Sequence, residues 1–219
     1  MSKKGLFITF EGPDGSGKST ILSKLYDLLK KHHYSFDIDV TREPGGRNNA
    51  IAEDIRNILL NKMEYQISPR AEALLFAASR AQHVKDFIKP NLERGHLVLC
   101  DRYIHSSLVY QGYARQLGIK EVWDINAFGI DNVLPDLTII LMIKPEGGLE
   151  RINNGLREVN RLDKEKITLH QLVYEGYQKI IKENSNKTII AVDASQTIDQ
   201  VLADVSKLIT SKIKEHYGE

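Results

Sequence analysis

Cysteine and long apolar runs are almost absent from this sequence. Among its 219 residues Cys100 is the single cysteine, so no disulfide can form within the chain. Cys100 ends the apolar run 97–99, which predicts a small buried core residue rather than a reactive thiol. Apolar runs of about 18 residues are missing, and the first residues lead into a strand pattern without a signal-peptide core. We therefore expect a cytoplasmic protein with no membrane partner.

An excess of charge of either sign is also missing. The chain has 30 Lys and Arg against 29 Asp and Glu, a net charge of +1, so overall charge gives no reason to expect a nucleic-acid partner. Internal repeats and low-complexity linkers are not visible either. Hydrophobic residues make up 42% of the chain, enough for a sizeable core, and the length suits a single domain over residues 1–219.

The most informative stretch covers residues 7–20 and reads FITFEGPDGSGKST. Its two glycines Gly12 and Gly17, five residues apart and followed by Lys18 and Ser19, have the spacing of a phosphate-binding loop. Glycines let consecutive backbone N–H groups form an anion-sized nest, to which the following helix adds its positive dipole end. An ordinary glycine turn that caps a helix is the alternative. The residues of this predicted phosphate-binding loop are Gly12, Pro13, Asp14, Gly15, Ser16, Gly17, Lys18, Ser19 and Thr20.

Apolar runs alternate with helical patterns along the whole chain. Strands are predicted at 6–11, 36–41, 96–101, 137–143 and 188–193, and helices at 18–32, 48–60, 69–92, 104–116, 119–133, 163–184 and 197–216. This alternation predicts an α/β fold of the P-loop NTPase type, a five-stranded parallel sheet with helices on both faces. Ligands in such folds bind at the carboxyl ends of the strands, where this chain carries polar residues.

Two of these strand ends suggest phosphate and metal binding. Asp101 follows the third strand and can hold the Mg²⁺ of a bound nucleotide, while the adjacent Arg102 offers a bidentate fork to phosphate. A strand-end salt bridge is the alternative for this pair. Residues 41–47, TREPGGR, follow the second strand, and a plain connecting turn is the usual interpretation of such a stretch.

Two helical faces and one loop complete the candidate residues. Phe76 and Arg80 lie four residues apart and therefore on one face of a predicted helix. The ring and the cation could bind a nucleobase together, or the pair could simply belong to an amphipathic face. Ser107, Tyr110 and Gln111 share another face. The stretch that contains Arg151, Arg157 and Arg161 is poorly patterned, which fits either a solvated basic loop or a mobile lid that closes on phosphate.

Taken together, these stretches resemble the thymidylate kinases. The segments FEGPDGSGKST at 10–20, REPGG at 42–46, LLFAASR at 74–80, DRY at 101–103, YQGYAR at 110–115 and NRLD at 160–163 follow the family's order and spacing. The resemblance extends from residue 7 to about residue 181. It implies transfer of the γ-phosphoryl group of ATP to dTMP, giving dTDP and ADP, with Mg²⁺, a small lid at about 145–163 and a homodimer.

The resemblance also implies a role for each matching residue. The implied catalytic residues are Lys18, Arg102, Arg157 and Arg161, and the implied metal ligands are Ser19 and Asp101. The implied dTMP-binding residues are Asp14 and Tyr110 at the sugar, Phe76 stacked on thymine, Arg80, Ser107 and Gln111 at the base, and Arg56 and Arg102 at the phosphate. Two positions depart from the family: Arg47, where Thr is usual, and His105, where many bacterial members carry Asp.

The position of the catalytic arginine is left open by the sequence. Some members of the family have an Arg inside the phosphate loop, where this chain has Gly15. We therefore expect Arg157 or Arg161 of the lid to stabilise the transferring phosphoryl group, because arginine is always charged and forks across two oxygens. The length of the loop does not determine which of the two dominates.

Two other functions remain possible on the sequence. Another nucleoside monophosphate or deoxynucleoside kinase would keep the phosphate loop and bind a different base. A GTP-binding switch would usually carry an Asn-Lys-x-Asp motif, but the pairs at 61–62 and 186–187 are followed by Met-Glu and Thr-Ile. The sequence therefore favours a kinase over a switch.

Overall fold

The computed structural model describes residues 4–46, 49–61, 66–155, 161–162, 165–183 and 188–218. The strands are β1 (Leu6–Glu11), β2 (Ile38–Arg42), β3 (Leu97–Asp101), β4 (Leu137–Met142) and β5 (Ile189–Asp193). They form one sheet in the order β2-β3-β1-β4-β5, with every neighbouring pair parallel. The predicted five-stranded parallel sheet is thus confirmed. In this order β1, which leads into the phosphate loop, is the central strand.

Helices connect the strands. They are α1 (Lys18–Leu29), α2 (Ala50–Leu60), α3 (Pro69–His83), α4 (Lys89–Glu93), α5 (Ile104–Ser107), α6 (Ile119–Ile130), α7 (Pro145–Asn153), α8 (Ile167–Glu183) and α9 (Ile198–Tyr217), with π-helical turns at Val84–Ile88 and Leu108–Ala114. The predicted helices 69–92 and 104–116 therefore each contain a π-helical part. Such π-helical turns often accompany functional sites, and the second one carries Tyr110 and Gln111.

Helix α7 was not predicted as a helix. Its sequence PEGGLERIN contains Gly147 and Gly148, and glycine costs about 1 kcal/mol in a helix relative to alanine. The structure shows why a glycine stands at Gly148: a Cβ placed there would lie 2.5 Å from the carbonyl oxygen of Asp14. Helix α7 thus packs with its backbone directly against the phosphate loop, a contact that only a residue without a side chain permits.

Apolar side chains cover both faces of the sheet. On one face Leu25 and Val205, from α1 and α9, pack with strand residues such as Ile139. On the other face Tyr177 of α8 packs with strand residues that include Cys100, which is fully buried as predicted. The prediction that helices cover both faces is confirmed. Over the ranges that the structure describes, none of the helices has the length and apolar character needed to cross a membrane.

Candidate active site

A cavity of about 780 Å³ lies at the carboxyl ends of the strands, a volume typical of small-molecule sites. Its lining includes the phosphate-loop residues, the ends of β2 and β3, and side chains of α2, α3, α5, α7 and α9. Among the residues predicted from sequence, the lining contains Asp14, Gly15, Ser16, Gly17, Lys18, Ser19, Thr20, Arg56, Phe76, Asp101, Arg102, Ser107, Tyr110 and Gln111. The strand-end rule therefore located the cavity correctly.

The phosphate loop has the backbone that its glycines allow. Gly12, Gly15 and Gly17 have φ values of 134°, 76° and 87°, in the region that favours glycine. The Nζ atom of Lys18 donates to the carbonyl oxygens of Gly12, at 3.0 Å, and Pro13, at 2.8 Å. Lys18 is therefore held over the loop, at the place where a bound polyphosphate would lie.

Burial makes the charge of Lys18 unfavourable. The side chain is only 6% exposed, and this burial, together with the charge of Arg102, lowers the pKa of Lys18 to about 8. Asp101, Asp14 and Glu11 face the same ammonium group and act in the opposite direction. The balance leaves a lysine whose protonation changes just above neutral pH.

We expect this pKa to appear in the kinetics of the reaction between ATP and dTMP that the resemblance implies. In the free enzyme Lys18 is charged below a pH of about 8 and loses its proton above it. Because kcat/KM reports the ionisation of the free enzyme, kcat/KM for ATP should fall above that pH by up to about tenfold per pH unit. The measurement is kcat/KM for ATP between pH 6.5 and about 9.5 at a dTMP concentration well below its KM, so that ATP meets mostly the unliganded protein.

The profile of kcat serves as the internal control. Bound phosphates favour the charged lysine, so the alkaline decrease should shift to higher pH or vanish in kcat. A flat profile of kcat/KM to the highest pH would contradict the assignment, and so would the same decrease in both parameters.

Ser19 and Asp101 offer two oxygen atoms at one point. The hydroxyl of Ser19 donates to Oδ2 of Asp101 at 2.6 Å, which joins the start of α1 to the end of β3. Mg²⁺ is usually bound by one or two protein oxygens together with substrate phosphates and water, so this pair suits it. Within the described part of the chain, no group of three or more His, Cys, Asp or Glu side chains could hold a metal ion.

Arg102 connects the phosphate loop to the second half of the cavity. Its guanidinium donates to the carbonyl oxygen of Gly12 at 3.1 Å and to Oδ1 of Asp14 at 2.6 Å. Tyr110 donates to the other carboxylate oxygen of Asp14 at 2.7 Å, and its ring lies against the guanidinium. Burial would raise the pKa of Asp14, but Arg102, Lys18 and Tyr110 outweigh it and leave this pKa below its usual range.

Glu11 accepts several hydrogen bonds from the segment that follows Arg102. It was not among the predicted site residues. Its buried carboxylate accepts from the backbone N–H of Tyr103 at 2.8 Å, from the hydroxyl of Ser106 at 2.5 Å and from Tyr177 at 2.9 Å. These contacts hold the segment after Asp101 against β1. Only the position of Glu11 at a strand end signalled it in the sequence.

Phe76 and Arg56 line the half of the cavity beyond Arg102. Phe76 is 8% exposed and lies on the inner face of α3. Arg56 donates to the carbonyl oxygen of Pro44 at 2.7 Å. Partial burial and then the charge of Arg42 lower the pKa of Arg56, with Arg102 contributing in the same direction. Glu53 and Asp101 act in the opposite direction, and Arg42 and Arg102 are themselves paired, with Glu53 at 3.0 Å and with Asp14 at 2.6 Å.

Arg80 lies behind the cavity wall rather than in its lining. It is 2% exposed, and its Nε donates to Glu43 at 2.7 Å. The Nη1 atom donates to Ser107 at 3.1 Å and to Asn126, while Nη2 donates to the carbonyl oxygen of Tyr103 at 3.0 Å. Among the described residues, these contacts occupy four of the five N–H groups of Arg80. Its binding to a base edge stays a prediction.

Of the two arginines predicted to act from the lid, the structure describes only Arg161. Arg157 lies outside the described residues. Arg161 does not lie at the phosphate loop: its Nε donates to the carbonyl oxygen of Leu59 at 2.9 Å, and its Nη2 pairs with Glu72 at 2.5 Å. Arg161 therefore contacts α2 and α3 here, and its predicted role at the transferring group stays a prediction.

A further group of lining residues was only partly predicted: Arg151 was named in the basic stretch, whereas Ala194 and Thr197 were not. Arg151 of α7 donates to the carbonyl oxygen of Ala194 at 2.8 Å, and both residues line the cavity beside Thr197 at the start of α9. Thr197 and Gln200 form a capping box that fixes this start. The end of β5 at Asp193 was the available signal, since it places the following loop at the same edge of the sheet.

Of the two departures from the family pattern, Arg47 lies outside the described residues. His105 lies on α5 outside the cavity lining, and its Nδ1 is buried with no hydrogen-bond partner in the described ranges. Burial and the charge of Arg80 lower the pKa of His105, although Glu11 opposes this.

Comparison with known proteins gives one consistent result. The family model described as thymidylate kinase matches residues 10–205. A thymidylate kinase of Bacillus licheniformis is 49% identical over 213 residues, which cover 97% of this chain and 98% of that protein. One of Geobacillus thermodenitrificans is 47% identical, with 98% and 95% covered, and one of Clostridium novyi is 48% identical, with 92% and 97% covered.

Proposed function

This chain belongs to the thymidylate kinase family and is a dTMP kinase, and we propose that ATP and dTMP meet in the cavity at the carboxyl ends of the strands. The observation that carries this proposal is the position of Arg102, which contacts the phosphate loop at Gly12 and Asp14 and also contacts Tyr110, outside the loop. A cation between the loop and a second binding region is what phosphoryl transfer between two polyanions requires.

The acceptor half of the cavity suits dTMP. We place the thymine against Phe76, with Ser107 and Gln111 at its edge, and the acceptor phosphate between Arg56 and Arg102. Asp14 and Tyr110 would then lie beside the sugar, where the carboxylate can accept from a sugar hydroxyl. Burial and the charges of Arg42 and Arg102 lower the pKa of Arg56, so the negative charge of an acceptor phosphate beside Arg56 would be favourable.

The donor half begins at the phosphate loop. The triphosphate of ATP would lie along residues 12–19 under Lys18, and its base would extend to the shelf formed by Arg151, Ala194 and Thr197. A flat guanidinium at this shelf can stack on a purine ring. This placement puts the γ-phosphoryl group next to Arg102.

The reaction then requires positioning and charge neutralisation rather than a general base. The attacking phosphate oxygen of dTMP is already ionised near neutral pH, so the residues have to align it with the γ-phosphorus and stabilise the charge of the transferring group. Lys18 and Arg102 are placed for this. Because Arg161 is committed to Leu59 and Glu72, we favour Arg157 as the lid arginine that acts on the transferring group.

Mg²⁺ would be held by Ser19 and Asp101 together with phosphate oxygens of ATP. When bound, it neutralises charge on the β- and γ-phosphates. The protein's own contribution is the hydrogen bond that brings these two oxygen atoms together before the nucleotide binds.

A panel of nucleoside monophosphates tests this function. With ATP and Mg²⁺, kcat/KM should be higher for dTMP than for dUMP, dCMP, dAMP and dGMP. A different best acceptor would instead favour another nucleoside monophosphate kinase, the alternative that the phosphate loop alone allows. Hydrolysis of nucleotide without transfer to any acceptor would favour a switch protein.

Phe76→Ala should weaken the binding of dTMP much more than the binding of ATP. Loss of a base–aromatic stack costs about 1–3 kcal/mol in nucleic-acid sites, which corresponds to roughly a 5- to 150-fold rise in KM for dTMP. The KM for ATP should stay within about twofold, because Phe76 lies on α3, in the part of the cavity that we assign to dTMP. Steady-state kinetics with each substrate varied in turn measure both values.

Phe76→Leu is the matched control, since it keeps an apolar side chain in the core and removes only the aromatic face. It should show most of the dTMP defect with little loss of thermal stability. Equal effects of Phe76→Ala on ATP and dTMP would mean that this face of α3 is structural.

We also propose a homodimer through α2, α3 and α6. Helix α3 packs between the other two, and the three present exposed apolar side chains on their outer faces: Ile51 and Ile58, Leu74, and Trp123 and Phe128. Phe128 is 94% exposed, which is unusual for a phenylalanine unless a partner covers it. Sedimentation equilibrium of the 24.9-kDa chain tests this state.

A cytoplasmic location stays a prediction.

A further inference from the structure

Glu72 is a buried carboxylate that contacts Gln111 of the cavity lining but does not itself line the cavity. It is 1% exposed and lies on α3 one turn before Phe76. Its Oε1 accepts from Nε2 of Gln111 at 3.0 Å. Its Oε2 pairs with Nη2 of Arg161 at 2.5 Å, and Nε of Arg115 lies 3.5 Å from Oε1. Two guanidinium groups thus compensate the charge of one carboxylate, as burial of that charge requires.

The contact between Glu72 and Gln111 determines which end of the amide faces the cavity. A charged carboxylate only accepts hydrogen bonds, so Gln111 must turn its NH₂ group toward it. Gln111 lines the cavity and Glu72 does not. The amide oxygen is the end that remains for a ligand, and this oxygen is an acceptor.

We propose that Glu72 is a positioning residue for base selection. By orienting the amide of Gln111, it presents an acceptor to the cavity and so selects a base that carries a ring N–H at the pyrimidine 3-position. Thymine and uracil have this N–H, whereas the N3 atom of cytosine is an acceptor and would face the amide oxygen unpaired. The inference rests on the proposed function, in which Gln111 lies at the edge of the base.

The experiment compares three acceptors in Glu72→Gln, a substitution that keeps the shape of the side chain and lets Gln111 turn over. The ratio of kcat/KM for dTMP to that for dCMP should fall by roughly tenfold, the value of about one hydrogen bond. The ratio for dTMP to dUMP should not change, since both bases keep the N–H. An unchanged dTMP-to-dCMP ratio would overturn the proposal.

Two further variants separate positioning from general stability. In a Gln111→Ala background, Glu72→Gln should have no further effect on the dTMP-to-dCMP ratio, and an additional decrease there would overturn the proposal. Glu165→Gln is the matched control: this carboxylate pairs with Arg115 at 2.5 Å, so it belongs to the same network, but no contact joins it to Gln111. Glu165→Gln should leave the dTMP-to-dCMP ratio of kcat/KM unchanged. A decrease of this ratio equal to that of Glu72→Gln would overturn the proposal.

A third variant covers the case in which Glu72→Gln does not fold. Glu72→Asp keeps the charge that faces Arg161 and Arg115 but shortens the side chain by one methylene, which withdraws the carboxylate from Gln111, so it should lower the dTMP-to-dCMP ratio in the same direction. The ratio is insensitive to any general loss of kcat; if it does not change, the proposal fails. Absence of transfer to dTMP in the unmodified protein would instead refute the proposed function itself.

Discussion

Lys18→Ala should lower kcat by roughly 10²–10³-fold, the loss seen when one donor that stabilises a transition state is removed. Lys18 is fixed over the phosphate loop through Gly12 and Pro13, where its charge would meet the β- and γ-phosphates of ATP. The measurement is kcat at saturating ATP and dTMP. A variant with nearly normal kcat would show that the loop binds nucleotide without contributing its lysine to the reaction.

The same substitution should not destabilise the fold. The pKa of Lys18 lies at about 8 in the folded protein, below its usual value of 10.5, so at neutral pH the buried charge opposes folding. Removing it should leave the midpoint of thermal unfolding equal to or above that of the unmodified protein. Lys24→Ala, on the exposed face of the same helix α1, is the matched control and should change neither kcat nor stability.

The fold was predictable because its signals are local. Four of the five strands are short apolar runs, and the ends of β1 and β3 fall on the predicted residues Glu11 and Asp101. Strand β2, IDVTR, instead alternates apolar and polar residues, and it begins two residues later and ends one residue later than predicted. Helix α7 was missed because its glycines reduce local helix propensity. These glycines are explained by a contact between Gly148 and the distant Asp14, which a local pattern does not contain.

The site residues were predictable only where neighbouring residues in the sequence, by their types and spacing, already imply the chemistry of the site. The phosphate loop meets this condition, since its glycines, Lys18 and Ser19 are adjacent in sequence. The supporting contacts do not: Tyr177 reaches Glu11 across 166 positions, and Arg161 reaches Glu72 across 89. The sequence indicated that Arg161 was a candidate for the site, but its partner depends on how α2 and α3 pack against the end of the lid segment.

Arg102→Lys should have a comparable or larger effect than the loss of Lys18, although it keeps the positive charge. One Nη atom of Arg102 donates to Gly12 and Ser106 while the other pairs with Asp14, so a single planar group spans the two halves of the cavity. An ammonium group is a point charge and cannot hold these directions at once. An arginine that acts on a transferring phosphoryl group contributes roughly 10³–10⁵-fold in rate, and we expect a decrease in kcat within that range.

The backbone conformation of Arg102 does not bias the comparison between Arg102→Lys and the unmodified protein. The φ of Arg102 is 68°, a conformation that residues other than glycine adopt at a cost in free energy, and this cost is the same for lysine and arginine. Tyr110→Phe removes only the hydroxyl donated to Asp14 and should cause a smaller decrease. Arg94→Lys, on an exposed side chain before β3, should leave kcat unchanged. If Arg102→Lys instead raised only the KM for dTMP, Arg102 would bind the acceptor phosphate without acting on the transferring group, and the charge there would have to come from Lys18 and the lid.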